Sequence, residues 1–308
     1  MTTISTPSLM QRLAQVMAHL VVAVIALVVI GGATRVMEAG LACPDWPLCF
    51  GTFLPGRQMN VQVFLEWFHR LDAFLVGLAL LVTSVFTLIR RRRLPRWLPP
   101  VCGVLMGLVA LQGGLGALTV TRLLPSGVVT SHLALALTLV ALLSALTQRL
   151  LKPDSGWGPL WWRALAGIAV IGVFTQCLLG AGMATSWAAQ RCLAGADACQ
   201  WLSIHRTAAT PVAALVLLFV LVGVLVGGWS RSQWPGLLAA AALVGVQVGL
   251  GLMTLRLGLS QPLITVAHQA VAALLVAVLS ALAVRGPSRE RRVGHDLSDS
   301  VVLEVCHG

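Results

Sequence analysis

Eight long apolar stretches divide this sequence and constrain its fold more than any other feature. Each is long enough to cross a bilayer as a helix, and they cover approximately residues 15–37, 67–89, 99–121, 128–149, 160–182, 203–228, 235–257 and 263–284. Of the 308 residues, 58% are hydrophobic and only 10% are charged, which excludes an ordinary soluble domain. The first stretch is too long for the apolar core of a typical signal peptide, so we expect a retained helix. The sequence therefore predicts an all-α integral membrane protein with eight transmembrane helices.

Basic residues are distributed unevenly about these stretches. Fourteen of the 21 fall on one side of the predicted membrane, namely Arg12, Arg90, Arg91, Arg92, Arg93, Arg96, Arg149, Lys152, Arg163, Arg231, Arg285, Arg289, Arg291 and Arg292. Because basic loops stay on the cytoplasmic side, both termini are predicted to be cytoplasmic. The net charge of +11 is then explained by topology and by attraction to anionic lipid, and it does not indicate a nucleic-acid partner.

Four histidines form two copies of one pattern. His69 and His132 lie 63 residues apart, as do His205 and His268, and the second pair follows the first at an offset of 136. Each stands near the start of an apolar stretch, on the side opposite the basic loops. Ionisable side chains at membrane depth are costly and are usually functional. The repetition favours two similar metal or haem sites over four unrelated structural histidines.

The duplication extends to other residues. Gln112–Thr119 resembles Gln247–Thr254 at an offset of 135, and the small residues in both runs are expected to allow close helix packing. We therefore predict two tandem four-helix bundles, residues 1–152 and 153–308. Each copy has an even number of spans, so the copies share one orientation. Their pseudo-twofold axis should run along the membrane normal.

The histidine spacing favours haem over zinc. The second, fourth, sixth and eighth helices run in one direction, so each half places two imidazoles at one depth, facing each other. That arrangement can hold a haem edge-on with one histidine on each face of the iron. Zinc usually takes three or four ligands gathered at one point, and the sequence offers no such cluster.

Four cysteines lie in the predicted outer loops. Cys43 and Cys49 are in the first of these loops, and Cys192 and Cys199 are in the third. Short spacings in an oxidising compartment favour disulfides within each loop. Redox-active thiols are the alternative, which the spacing leaves open.

One carboxylate distinguishes the two halves. Glu66 lies three residues before His69 on the same helical face, whereas the repeat-equivalent residue in the second half is Leu202. A carboxylate there can accept a proton or stabilise a developing cation. We therefore expect chemistry in the first half and a structural or electron-transfer haem in the second. Asp72, one turn after His69, is expected to pair with a nearby arginine.

Several motifs together resemble the haem A synthase family. The most specific runs from Gly40 to Gly51 and contains Pro-Asp-Trp-Pro between two cysteines, and it follows Gly31-Gly32-Ala33-Thr34-Arg35. Glu66-Trp67-Phe68-His69-Arg70 resembles the family's Glu-x-x-His-Arg element, and Ser203-Ile204-His205-Arg206 resembles its counterpart in the second half. The resemblance covers all eight spans.

This resemblance implies a function and a set of site residues. The family oxidises a methyl group of haem O to the formyl group of haem A for terminal oxidases, and it carries haem b as a cofactor. His69 and His132 would then hold the substrate haem beside Glu66, and His205 and His268 would ligate haem b. Arg70 and Arg206, which follow a histidine directly, are candidates to contact haem propionates.

The resemblance also implies a setting in the bacterial inner membrane. Haem O synthase would supply the substrate, and an electron-transfer protein, unidentified from sequence, would complete the reaction. A homo-oligomer is compatible with the sequence. Two alternatives remain open at this point: a bis-haem electron-transfer protein, which would have no use for Glu66, and a transporter, which would require broken helices and a polar midplane site.

Overall fold

Eight long helices make up most of the part of the chain that the structure describes. The structure, a computed structural model, describes residues 8–152, 155–185, 200–258 and 260–287. The helices are α1 Leu9–Val36, α2 Val61–Ile89, α3 Leu98–Thr121, α4 Ser126–Leu151, α5 Leu160–Thr185, α6 Gln200–Val226, α7 Trp234–Arg256 and α8 Pro262–Ala283. Every one is long and apolar enough to cross a bilayer. The predicted fold class, an all-α multi-pass membrane protein, is confirmed.

Two helices begin earlier than the apolar pattern predicts. α1 starts at Leu9 because Ser8 and Gln11 form a capping box, in which each side chain bonds to the other residue's backbone N–H. α2 starts at Val61, where the Asn60 side chain accepts a hydrogen bond of 2.9 Å from Val63 N. The caps satisfy backbone groups that an apolar run alone would leave exposed. As a result His69 lies in the third turn of α2 rather than in its first.

Neighbouring helices define two sets of four. In the first set α1 packs on α2, α2 on α3, α3 on α4 and α4 back on α1. The second set repeats this ring with α5, α6, α7 and α8. Between the sets α4 packs on α8, α1 on α8 and α4 on α5. Exchanging the two sets maps these three contacts onto themselves, as a pseudo-twofold relation requires.

The central contact between the halves is made by α4 and α8. These helices carry long runs of buried residues at equivalent positions, including Val140 with Val276, Leu143 with Leu279, and Ser144 with Ser280. Ser144 Oγ donates a hydrogen bond of 2.7 Å to the carbonyl of Ala277 across the contact. In a bilayer such packing and interhelical hydrogen bonds, rather than removal of apolar surface from water, hold helices together.

The two ends of the bundle differ in chemistry. At the arginine-rich end, which follows α4 and α8, Arg285 donates to Gln148 at 3.0 Å and to Gln233 at 2.9 Å. Trp162 Nε1 donates to the carbonyl of Leu282 at 2.8 Å, which joins α5 to α8. The opposite end, where the four histidines lie, is called the histidine end below. The first connecting loop, residues 37–60, covers this end beside α2.

Candidate haem-binding site

The structure brings the histidines together in the two pairs that the repeat predicts. The ring centres of His69 and His132 lie 6.5 Å apart, and those of His205 and His268 are also 6.5 Å apart. Two imidazoles bound to opposite faces of one metal, each through a bond of about 2 Å, bring their ring centres to about 6 Å. Each pair therefore has the separation that two axial ligands of one haem iron require.

A multi-residue metal cluster is not an alternative in the described part of the chain. Among those residues, no three histidine, cysteine, aspartate or glutamate side chains gather in a way that could hold a metal ion. Structural and catalytic zinc sites normally use three or four protein ligands. Two isolated histidine pairs suit a macrocycle that supplies the other four ligands itself.

Each imidazole lies against a glycine of a neighbouring helix. A Cβ atom built at these glycines would approach the ring Cε1 to 3.1 Å at Gly31 against His69, 3.4 Å at Gly116 against His132, 3.0 Å at Gly180 against His205, and 3.1 Å at Gly251 against His268. Any larger side chain would therefore displace the ring. The glycine runs were expected to allow close packing of helices in general. In the structure, these four glycines make room for the histidine rings in particular.

The polar surroundings of the two pairs differ. In the first pair His69 Nδ1 is buried and has no hydrogen-bond partner among the described residues. The first-half glutamine, Gln112, donates only to the backbone carbonyl of His132, at 3.1 Å.

In the second pair both rings contact a glutamine. His268 Nδ1 lies 3.1 Å from the carbonyl of Gln247, and Gln247 Nε2 lies 3.3 Å from His268 Nε2. Gln176 Nε2 lies 3.1 Å from His205 Nδ1 and donates to the backbone carbonyl of His205 at 2.7 Å. A metal-binding histidine usually donates its second ring N–H to an acceptor, which fixes the ring orientation, and of these contacts the one from His268 Nδ1 to the Gln247 carbonyl has that form.

Glu66 is buried at the histidine end, with 5% of its surface exposed. Its Oε2 accepts a hydrogen bond of 2.8 Å from the backbone N–H of Cys43, and its Oε1 pairs with Arg70 Nη2 at 2.5 Å. Glu66, Arg70 and His69 share a helix over one turn, so the ion pair lies next to the first histidine pair. The carboxylate thus links α2 to the first loop.

Arg70 extends this link. Its Nη1 donates to the backbone carbonyls of Asp45 and Leu48, both at 2.6 Å, and its Nη2 reaches the carbonyl of Cys43 at 3.4 Å. The planar guanidinium suits this arrangement because its donors are fixed in a fork. Arg70 is therefore engaged with the loop, and its contact with a haem propionate stays a prediction.

The first loop is held by its own bonds as well. Cys43 and Cys49 form a disulfide, as the sequence predicts. The carboxylate of Asp45 accepts backbone hydrogen bonds of 2.7 Å from Phe50 and Gly51, where the chain turns through positive φ. The corresponding second-half pair, Cys192 and Cys199, lies outside the described residues.

The second half shows no copy of the buried ion pair among its described residues. Arg206, the counterpart of Arg70, is exposed, and Leu202 stands at the position of Glu66. Asp72 makes no hydrogen bond or ion pair with any described residue, so its pairing with an arginine stays a prediction. Arginines at this end lie nearer the helix ends, whereas Asp72 lies deeper and lines a groove between α1 and α2.

Comparison with known proteins shows which family this chain resembles over most of its length. A family model described as cytochrome oxidase assembly protein matches residues 14–280, which run from α1 into α8. A protein named haem A synthase from a Caulobacter species is 32% identical over 324 residues, covering 86% of this chain and 93% of the relative. The chain belongs to the haem A synthase family. The resemblance seen in the sequence motifs is thereby confirmed.

Two further relatives are informative. A haem A synthase of Shewanella oneidensis is 31% identical over 193 residues, which span 54% of this chain and 56% of the relative. A haem A synthase–mitochondrial ferredoxin fusion protein of Schizosaccharomyces pombe is 32% identical over 120 residues, which span 30% of this chain and 19% of the fusion. The second match joins a haem A synthase region to an electron carrier in one polypeptide.

Sequence reasoning missed the glutamines beside the histidines in this member of the haem A synthase family. A signal was present, because glutamine precedes the histidine-contacting glycine by four residues in three helices: Gln112 and Gly116, Gln176 and Gly180, Gln247 and Gly251. Residues four apart share a helix face. In α1 the corresponding residue before Gly31 is Leu27, so only His69 lacks this neighbour.

Proposed function

We propose that this chain is a haem A synthase that oxidises a methyl group of haem O to a formyl group. Family membership makes it an oxidoreductase that acts on haem. The observation that carries the finer proposal is the asymmetry between two histidine pairs of equal separation, of which only the first has a buried carboxylate beside it among the described residues. An electron-transfer protein with two equivalent haems would not need that carboxylate.

The proposal assigns one haem to each half. In residues 1–152, His69 and His132 would ligate the substrate haem O. In residues 153–308, His205 and His268 would ligate haem b, which when bound supplies one-electron redox chemistry. The contact between His268 Nδ1 and the Gln247 carbonyl supports a permanent ligand there, since donation from the second ring nitrogen fixes ring orientation. His69 Nδ1, buried without a partner among the described residues, suits a pocket whose substrate enters and leaves.

Glu66 is the proposed catalytic residue. Conversion of a methyl to a formyl group removes two hydrogen atoms and adds one oxygen atom. Written with water as the oxygen source, it releases four protons and four electrons, and the electrons would pass to the proposed electron-transfer partner. Positive charge that develops at this carbon, at the edge of the macrocycle, is stabilised by a nearby carboxylate, and strongly so away from water. Arg70 and the Cys43 amide hold the Glu66 carboxylate in one orientation, so little reorganisation accompanies the reaction. Arg70 would act mainly by positioning Glu66 and the loop.

The membrane setting follows from the same reading. The chain is a multi-pass membrane protein of a family with bacterial members. We place it in the bacterial inner membrane with both termini cytoplasmic, since the basic residues collect at the end opposite the histidines. The ferredoxin fusion supports an electron-transfer partner. Haem O synthase is the proposed source of substrate.

Conversion of haem O to haem A tests this function directly. Membranes from cells that make haem O, but no haem A of their own, would be prepared with and without the expressed chain, and the extracted haems would be separated chromatographically. We expect haem A only where the chain is present. Haem b bound to the purified chain without any conversion of haem O would instead identify a bis-haem electron-transfer protein.

A further inference from the structure

A groove of about 280 Å³ runs between α1 and α2, on the arginine-rich side of the first histidine pair. Its walls are almost entirely apolar. The side chains that matter below are Leu20 and Ala23 of α1, Val76 and Ala79 of α2, and two ionisable groups, His19 and Asp72. Neither ionisable group has a part in the function proposed above.

The groove begins close to the first histidine pair and leads away from it. The His69 ring lies level with Gly31 of the antiparallel helix α1. Asp72 is three residues further along α2, about 4.5 Å at 1.5 Å per residue, whereas His19 is twelve residues from Gly31, about 18 Å. The lining also includes Val16, fifteen residues from Gly31, so the groove extends for about 18 Å from Asp72 at its near end to Val16 at its far end, with His19 about one turn before that end.

Asp72 has an unmet need for a polar partner. It makes no hydrogen bond or ion pair with a described residue, whereas His19 Nδ1 lies 2.7 Å from the carbonyl of Gln15 on its own helix. A carboxyl group at membrane depth is costly unless a polar group satisfies it. A bound molecule that places a hydroxyl at the near end of the groove would meet that need.

We propose that this groove holds the isoprenoid chain of the substrate haem and that Asp72 hydrogen-bonds to the hydroxyl at the base of that chain. The inference rests on the proposed function. Haem O differs from haem b in carrying a hydroxyethylfarnesyl chain where haem b has a vinyl group. That chain starts with a hydroxyl beside the ring and continues for about twelve bonds, about 14 Å at the advance per bond of an extended chain.

The groove is long enough for this chain and agrees with it in direction and polarity. The chain leaves the macrocycle on the side away from the propionates, whose charges favour the membrane surface. A haem held by His69 and His132 would thus direct its chain into the membrane, where the groove lies. Asp72 meets the hydroxyl first, and the apolar walls formed by Ala23, Val76 and Ala79 follow.

The groove contributes shape more than hydrophobic affinity. Lipid tails are as apolar as its walls, so moving the chain from lipid into the groove gains little from burial alone. Discrimination would come from available space and from the hydroxyl bond. Filling the groove should consequently impair binding of haem O and leave binding of haem b, with its short vinyl group, unchanged.

Binding measurements on a matched pair of variants test this. Ala79→Trp fills the groove, whereas Ala73→Trp places the same side chain on an exposed position of the same helix. The purified full chain, with its resident haem, would be titrated separately with haem O and haem b and followed by absorbance. We expect Ala79→Trp to weaken haem O binding about tenfold or more, in the manner of an overpacked site, with haem b binding and the Ala73→Trp variant unaffected.

Substitution of Asp72 tests the hydroxyl contact. Asp72→Ala removes the hydrogen-bond acceptor and should weaken haem O binding about tenfold, whereas Asp72→Asn keeps an acceptor oxygen and should weaken it less. Neither should alter haem b binding. Ala23→Phe fills the groove from the α1 side and replaces Ala79→Trp if that variant loses its resident haem through misfolding.

Two results would overturn the proposal. Wild-type affinity for haem O in the folded groove-filling variants would mean that the groove holds only lipid. Equal weakening of haem O and haem b would mean that the substitutions disturb the macrocycle site instead. Failure of the proposed function is a separate result, namely no haem A from the wild-type chain, and the binding comparison does not depend on turnover.

Discussion

The two halves hold their histidines at the same ring separation of 6.5 Å, yet they surround them differently. In the second half, glutamines contact both imidazoles. In the first half His69 Nδ1 has no hydrogen-bond partner among the described residues, and a buried Glu66–Arg70 ion pair lies beside the histidine pair. The two bundles share the separation of the histidine rings and differ in the polar groups nearby. Under the proposed function, the shared fold would set iron ligation, and a few side chains would decide whether a half retains its haem or oxidises it.

Removing a histidine should give the largest and most half-specific effect. His205→Ala or His268→Ala is expected to abolish retention of haem b while the first pair still takes up haem, because the pairs lie in separate bundles. His69→Ala or His132→Ala should do the reverse. Haem content by extraction and absorbance measures both. Equal loss of all haem from every single variant, in protein shown to be folded, would refute two independent sites.

Removing the charge of Glu66 should come next. Glu66→Gln keeps an acceptor for the Cys43 amide but lacks the negative charge, so haem A formation should fall about 100-fold or more. Haem b should be retained, and haem O or a partly oxidised haem should accumulate. Leu202→Gln is the matched control in the second half and should leave haem A formation nearly unchanged. Near-normal haem A from Glu66→Gln would reduce this residue to an anchor for the loop.

Arg70→Lys should have a smaller effect, about tenfold on haem A formation. Lysine keeps the charge but cannot reach Glu66 and the carbonyls of Asp45 and Leu48 together. Arg206→Lys is the control and should change little, since Arg206 is exposed. Faster proteolysis within the loop of the Arg70→Lys variant would show that the loop contacts were lost. Identical losses in the two variants would instead favour a propionate-binding role for both arginines.

Gln176→Leu replaces the glutamine four residues before Gly180 with leucine, the residue that α1 has four residues before Gly31. Loss of one hydrogen-bonding neighbour of His205 should weaken haem b retention about fivefold, the effect of roughly one hydrogen bond. Gln112→Leu is the control, because the Gln112 side chain donates to the backbone carbonyl of His132 and not to an imidazole nitrogen. The rate of haem b transfer to an excess of apomyoglobin provides the measurement. An unchanged rate for Gln176→Leu would show that the glutamine contacts do not distinguish the pockets.

The smallest expected effect concerns the contact between the halves. Ser144→Ala removes the hydrogen bond to Ala277 and should destabilise the protein by about 0.6 kcal/mol, the average for such bonds between membrane helices. Ser280→Ala at the equivalent position should be nearly neutral, since Ser280 Oγ has no partner in the described structure. Unfolding in mixed detergent micelles would compare the two. Equal destabilisation would mean that both serines bond across the contact.

Hydropathy, basic residues and repeat spacing predicted the helices, the duplication and the histidine pairs, because these depend on periodic patterns that the bilayer enforces. The pattern placed the ends of α1 and α2 less well. Their first turns depend on the caps at Ser8 and Asn60, not on apolar residues. The sequence also singled out Glu66, since comparison of the repeats exposed its absence from the second half. The Cys43–Cys49 disulfide was favoured by close spacing in a loop on the oxidising side, and the structure forms it.

Only the tertiary structure decided what these side chains contact. Arg70 could have pointed towards a haem propionate or towards the loop, and the backbone carbonyls that engage it lie 22 and 25 residues away in sequence. Whether Asp72 finds a hydrogen-bond partner among the described residues likewise depends on how α1 and α2 pack. Sequence periodicity specifies the face of a helix, but hydrogen-bond partners depend on which residues of other segments reach that face at the same depth.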